Sequence, residues 1–77
     1  MPKLPILSGK NLIRVLKKYG YREIRRKGSH VFIESEKGDL GTVIPIHSNE
    51  DLGKGILKSI LKDLKLSVKD LLKMLQS

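Results

Sequence analysis

The chain has no cysteine and no tryptophan, and its remaining aromatic residues are two tyrosines and one phenylalanine. The absence of cysteine excludes disulfides and thiolate metal sites, so a reducing compartment is the simplest setting. With so few aromatic residues, we do not expect a stacking platform of the kind that single-strand-binding proteins use. Tyr19 and Phe32 are instead predicted to pack in the core.

Long hydrophobic runs are also missing. No apolar stretch approaches the roughly 20 residues that cross a bilayer, and residues 1–5 do not have the pattern of a signal peptide. The glycine spacing matches neither a P-loop nor a dinucleotide-binding turn, and the histidines and acids do not have the spacing of metal ligands. We therefore expect a soluble cytoplasmic protein without cofactor, metal or membrane contact, folded as one domain over residues 1–77.

Acidic residues are scarce relative to basic ones. Sixteen lysines and arginines against eight aspartates and glutamates give a formal charge of +8. Such an excess favours polyanions, above all nucleic acid, because binding releases condensed counterions. An anionic membrane surface or an acidic protein partner would satisfy the same charge.

Apolar periodicity and turn residues predict the order α-β-β-β-α-α. A sheet of three antiparallel strands cannot bury a face alone, so the helices are expected to pack on one side of it. The predicted fold class is an α+β two-layer sandwich, with the other face of the sheet left to solvent or a ligand. The predicted elements are a helix over 9–19, strands over 21–26, 30–35 and 41–47, a helix over 56–64 and a last helix that starts at the Ser67–Asp70 capping box.

The run Arg25-Arg26-Lys27-Gly28-Ser29-His30 carries the main chemical signal. Histidine exchanges protons near neutral pH, and the preceding cations disfavour its charged form and attract phosphate. We expect His30 to act as a general base, with Arg26 and Lys27 stabilising developing negative charge. Gly28 leaves room for a phosphate, and Ser29 is expected to bond it or to orient His30. Without further context, a histidine at a strand start is more often a packing residue.

Other positions leave two interpretations open. His47 is either a general acid that pairs with His30 or a structural residue that caps the following helical region through Ser48 and Asn49. Lys10 in the first helix and Lys54 before the second either bind the RNA backbone or belong to solvated faces. The last helix, with Leu71, Leu72 and Leu75 expected inward and Met74 beside them, either completes the core or exposes part of its apolar side to a partner.

Several blocks together resemble the HicA-type (YcfA-like) mRNA interferase toxins. They are Gly28-Ser29-His30 at a strand start, residues 43–47 at the end of the third strand, residues 55–61 in the second helix, and residues 8–10 and 18–21 around the first helix. The family often has threonine where this chain has Ile56. The resemblance implies a fold similar to a double-stranded-RNA-binding domain, a metal-independent ribonuclease that cleaves mRNA, and His30 as the catalytic histidine. It also implies a HicB-type antitoxin that covers the active site, with operator DNA bound only through the toxin–antitoxin complex.

The predicted function is therefore an endoribonuclease toxin of a type II toxin–antitoxin system. Its RNA-binding residues are expected to be Arg25, Arg26, Lys27, Gly28, Ser29, Lys10 and Lys54. A non-catalytic RNA-binding module of the same fold is the main alternative, and a DNA-binding or protein-interaction domain that uses the second helix is a further one. Neither alternative needs a titratable group at position 30.

Overall fold

The computed structural model describes residues 3–48 and 50–76 and confirms the predicted element order and fold class. Three helices and three strands form an α+β sandwich similar to a double-stranded-RNA-binding domain. The elements are α1 (Gly9–Lys18), β1 (Arg22–Lys27), β2 (His30–Glu34), β3 (Gly41–Pro45), α2 (Lys54–Asp63) and α3 (Val68–Leu75).

The strands form one antiparallel sheet in the order β1-β2-β3. Alternate residues of the central and third strands, Val31, Ile33 and Ile44, are fully buried against the helices. The side chains between them point to the opposite face, as the two-residue period of a strand requires. We call the covered side the helix face and the uncovered side the open face.

The three helices cover the helix face with leucine and isoleucine side chains. Ser8 caps α1 by accepting a hydrogen bond from the Asn11 N–H at 3.1 Å, and Thr42 donates one from β3 to Asp63 of α2 at 2.9 Å. The core contains Leu7, Leu12, Ile13, Leu16, Val31, Ile33, Ile44, Leu57, Ile60, Leu61, Leu64, Leu71 and Met74.

Several predicted boundaries were wrong by one or two residues. Tyr19 is the C-cap of α1 and is 41% exposed, so it is not the core residue that its helical spacing indicated. The third strand ends at Pro45 rather than at 47, because proline has no N–H to continue the ladder. The second helix begins at Lys54, which leaves Ile56 in its first turn 48% exposed, outside the apolar stripe that was expected to include it.

The last helix belongs to the core. Leu71 and Met74 are buried in it, whereas Leu72 is half-buried and Leu75 is exposed, contrary to the inward position predicted for Leu75. The main apolar side chains of α3 are therefore covered by the rest of the chain. Of the two interpretations of this helix, completion of the core agrees with the burial.

No helix within residues 3–48 and 50–76 is both long and apolar enough to cross a membrane. The longest, α1 and α2, have 10 residues each.

Two helix-start glycines should respond in opposite directions to alanine. A Cβ on Gly9 would stand 2.1 Å from the Pro45 carbonyl oxygen and 3.2 Å from Ile44 Cγ2, whereas a Cβ on Gly55 would meet nothing within 4 Å. We expect Gly9→Ala to lower the free energy of unfolding by about 1–3 kcal/mol because the β3 backbone must move. Gly55→Ala should raise it by up to about 1 kcal/mol, since alanine favours a helix. Urea unfolding measures both, and equal effects of the two substitutions would contradict this packing.

The capping box of α3 should contribute stability that depends on pH. Ser67 N–H donates to Asp70 Oδ2 at 2.8 Å, and the Asp70 N–H donates to Ser67 Oγ at 3.0 Å. The Ser67 backbone N–H, and after it the Ser67 hydroxyl, lowers the pKa of the Asp70 carboxyl from its usual value. A group whose pKa is lower in the folded state than in the unfolded state stabilises the protein at pH values above its unfolded-state pKa. This contribution to stability is lost as the pH falls through the folded-state pKa.

We therefore expect Asp70→Ala to unfold at a lower urea concentration than the parent protein at pH 7. The difference should narrow as the pH falls toward 3. Glu50→Ala, which removes an exposed acid outside the helices, is the control. A difference that stayed constant over this pH range would contradict a contribution from the ionised carboxylate.

Candidate functional site

The hairpin between β1 and β2 places His30 at one end of the sheet. The two strands are joined by Gly28 and Ser29, with Lys27 and His30 paired across the turn. Gly28 has a φ of 59°, in the left-handed region that favours glycine. The Ile46 N–H donates to the Ser29 carbonyl oxygen at 2.6 Å, which ties the turn to the chain beyond β3. The position of His30 is therefore fixed from both neighbouring strands.

His30 points to the open face because Val31, the next residue, points into the core. Its side chain is exposed and lines a shallow cavity of about 580 Å³. Among the residues that line this cavity, His30 is the only one with an imidazole, the side chain that most often serves as a general acid or base. The others are Lys27, Gly28, Ser29, Phe32 and Val43.

An irregularity in β1 decides which cations share this face. The register shifts between Glu23 and Arg25, so that Ile24 is the extra residue of a β-bulge. After the bulge, Arg25 pairs with Phe32 and Lys27 with His30, which puts both cations on the open face. Neither has an acidic partner among the described residues, in contrast to Arg22, which pairs with Glu34 at 3.2 Å. Uncompensated positive charge therefore lies beside His30.

Arg26 lies on the other side of the sheet. It pairs in register with the buried Val31, and its guanidinium lies 3.4 Å from the Glu23 carboxylate. Lys17 of α1 approaches the same carboxylate at 3.7 Å. Arg26 is therefore separated from His30, and its position does not fit the predicted role of stabilising charge at that residue.

A second basic surface surrounds Arg26. We call it the α1–β1 cleft, a depression of about 580 Å³ between the first helix and the first strand. Glu23 is the one acid among its lining residues, so most of its cations are not neutralised. The structure thus brings the predicted Lys10 together with Arg26, away from His30. The cleft is lined by Lys10, Asn11, Ile13, Arg14, Lys17, Glu23, Arg26 and Ile46.

Lys54 is the exposed first residue of α2, and the N-cap Gly53 provides no side-chain hydrogen bond to that helix. The start of α2 borders a groove of about 710 Å³ along β3, which Gly55 and Ile56 line. This groove shares Phe32 and Val43 with the cavity at His30. The His30 end of the open face and the start of α2 are therefore connected along one surface.

His47 lies two residues beyond the end of β3, with an exposed side chain that does not line the His30 cavity. Its carbonyl oxygen accepts a hydrogen bond from the Glu50 N–H at 2.9 Å. Because Gly53 is the N-cap of α2, the prediction that His47 caps the following helix is wrong. Asn49, which that prediction also used, lies outside the described residues.

Sequence reasoning missed Phe32. It was assigned to the core, but it is a half-buried residue of the open face, outside the cluster of buried residues. Strand alternation contained the necessary signal, since a residue two positions from an outward His30 must also point outward. Among residues 3–48 and 50–76, no three histidine, aspartate or glutamate side chains come together as a group that could hold a metal ion.

Comparison with models of protein families identifies a match. A family model described as the HicA toxin of bacterial toxin–antitoxin systems matches residues 9–66, which include every site residue discussed above. No curated protein matches the chain.

Proposed function

The chain belongs to the HicA toxin family of bacterial toxin–antitoxin systems, and from this premise we propose that it is a metal-independent endoribonuclease acting on mRNA. Family membership makes it a toxin that pairs with an antitoxin. The observation that carries the ribonuclease proposal is an exposed histidine on the open face of the sheet, beside a lysine that has no acidic partner among the described residues.

RNA supplies its own nucleophile, and His30 supplies the base. The imidazole takes the proton of a 2′-hydroxyl, whose oxygen then attacks the adjacent phosphorus. The bond from phosphorus to the 5′-oxygen breaks, which gives a 2′,3′-cyclic phosphate and a 5′-oxygen that takes a proton from the imidazolium or from water. A positioned general base of this kind contributes typically about 10²–10⁴-fold to the rate.

The residues next to His30 fit the charge that develops on the phosphate. Lys27 is paired with His30 across the hairpin and has no acidic partner among the described residues, so its ammonium is available to the phosphorane. Lys27 thus takes the role that the sequence divided between Arg26 and Lys27. Nothing lies within 4 Å of the point where a Cβ of Gly28 would stand, which leaves room for a phosphate above the turn. Ser29, half-buried in the same turn, is in place to bond that phosphate.

More distant cations would bind the RNA backbone. The α1–β1 cleft presents Lys10, Arg14, Lys17 and Arg26 against the single acid Glu23. Lys54 adds a further exposed charge at the start of α2, next to the groove along β3. Contacts of this type hold phosphates regardless of sequence and weaken as salt is added.

The antitoxin is proposed to be a HicB-type protein that binds over the open face and so excludes RNA from His30. Contact with operator DNA then belongs to the complex of the two proteins. Because mRNA is the proposed substrate, the cytoplasm is the proposed place of action.

We expect the protein to cleave end-labelled single-stranded RNA in excess EDTA, and His30→Ala to lose at least about 100-fold in rate, since the base contributes that much or more. RNA affinity of His30→Ala, measured by filter binding, should remain because the cationic surfaces are intact. His30 is exposed, so the circular dichroism melt should also be unchanged.

The product ends test the chemistry separately. Attack by the 2′-hydroxyl predicts 2′,3′-cyclic phosphate and 5′-hydroxyl ends, and a 3′-hydroxyl end would exclude it. His30→Gln, which keeps a polar side chain without the base, should be as slow as His30→Ala. Binding without cleavage by the parent protein would instead identify a non-catalytic RNA-binding module.

His47 is expected to lie outside the mechanism, because its exposed side chain does not line the His30 cavity. His47→Ala should therefore keep kcat within about threefold of the parent protein, well short of the roughly 100-fold effect of losing an acid or base. Cleavage rates at saturating RNA measure this. A loss comparable to that of His30→Ala would restore His47 as the general acid.

A further inference from the structure

The single phenylalanine of the chain, Phe32, lies on the open face of the sheet. Phe32 is half-buried and belongs neither to the core cluster nor to the side chains packed against that cluster, while its neighbours Val31 and Ile33 fill the core. Aromatic side chains bury a large apolar area and dominate cores and interfaces, so one on an uncovered sheet face needs an explanation. In a protein this small, that apolar area does not contribute to the core.

Arg25 covers part of the ring. Its guanidinium carbon lies 4.5 Å from the centroid of Phe32, a cation–π contact between paired residues of adjacent strands. Because Arg25 has no acidic partner among the described residues, the ring and the guanidinium together present an aromatic side chain with an unneutralised positive charge over it. We call this pair the Arg25–Phe32 platform.

The platform stands next to the proposed scissile phosphate. Phe32 is two residues from His30 on the same strand face, and both line the cavity at the hairpin. Phe32 also lines the groove that leads toward α2, so it lies where the two depressions meet. A chain of nucleotides crossing the open face from His30 toward Gly55 must therefore pass over it.

We propose that the Arg25–Phe32 platform stacks one unpaired nucleobase of the RNA beside the scissile phosphate. This rests on the proposed ribonuclease function and deepens it. Bases stack on aromatic rings and on guanidinium planes, and positive charge at the same place attracts the flanking phosphates. A base inside a duplex has no free face to offer. Stacking tolerates every base, so the platform positions the substrate without reading its sequence.

The first experiment measures stacking without cleavage. The full chain carrying His30→Ala is titrated with a short single-stranded RNA that contains 2-aminopurine, whose fluorescence falls when it stacks. Adding Phe32→Leu should weaken binding about tenfold and remove the quenching, because stacking one base contributes on this order. Adding Phe32→Trp should keep both, since indole also stacks. Tyr19→Leu, which removes an exposed aromatic residue elsewhere, is the matched control and should change neither.

Arg25→Lys separates the plane from the charge. Lysine keeps the positive charge but lacks the guanidinium plane, so a partial loss of quenching with a nearly unchanged salt dependence is expected. Quenching and salt dependence that are both unchanged in Arg25→Lys would mean that Arg25 contributes only its charge, which would remove its guanidinium plane from the platform.

The second experiment links the platform to cleavage. In the protein with His30 intact, an abasic nucleotide next to the cleaved bond should lower kcat/KM about tenfold. In Phe32→Leu the abasic substrate should lower kcat/KM little further, because the substitution and the missing base remove the same stacking interaction. Independent, additive losses would overturn the proposal, as would cleavage of duplex RNA at the single-strand rate.

The outcomes distinguish the two proposals. Quenching that depends on Phe32 without any cleavage would keep the platform and reject the ribonuclease. Cleavage that depends on His30 but is unaffected by Phe32→Leu would keep the ribonuclease and reject the platform. Circular dichroism melts of each variant detect unfolding. If Phe32→Leu unfolds, a loss of quenching in the folded Phe32→Trp decides against stacking.

Discussion

The alternation of side chains along β2 is the constraint on which the rest of the structure depends. Val31 and Ile33 are buried under the helices. Because side chains alternate between the two faces of a strand, His30 and Phe32 must lie on the open face. A slip of one residue would exchange the two pairs, placing a histidine in the core and two aliphatic side chains in water. The packing that stabilises the fold therefore also presents the proposed catalytic histidine.

The bulge at Ile24 sets the phase of β1 against that central strand. In a regular strand continuing from the Glu23–Ile33 pair, Arg26 would pair with His30, and Arg25 would face the helices. The extra residue reverses this, so that Lys27 accompanies His30 and Arg25 reaches Phe32. It also sends Arg26 to the side where Glu23 and Lys17 lie. One inserted residue thus divides a continuous basic run between two surfaces.

Much of the fold could be predicted because its signals are local. The Ser67–Asp70 capping box and the apolar stripes of the helices act within a few residues. The structure confirms the capping box, and it confirms the stripes except at Tyr19, Ile56 and Leu75. The phase of β1 could not be predicted, because every residue of this charged edge strand is exposed and none marks a buried face. Tyr19 and Phe32 were misplaced for a related reason: an aromatic side chain indicates apolar contact but not which partner supplies it.

The open face also shows how binding and cleavage would depend on each other. Two opposite unit charges 4 Å apart in bulk water attract each other by only about 1 kcal/mol. Lys27 and a phosphate on the fully solvated open face would attract each other about this weakly. Near a protein surface from which water is partly displaced, the same pair reaches about 4 kcal/mol. The proposed base on Phe32 would cover the cavity that His30 and Lys27 line and would displace its water. Under the proposed mechanism, RNA bound across the open face would therefore strengthen the electrostatic stabilisation of its own transition state.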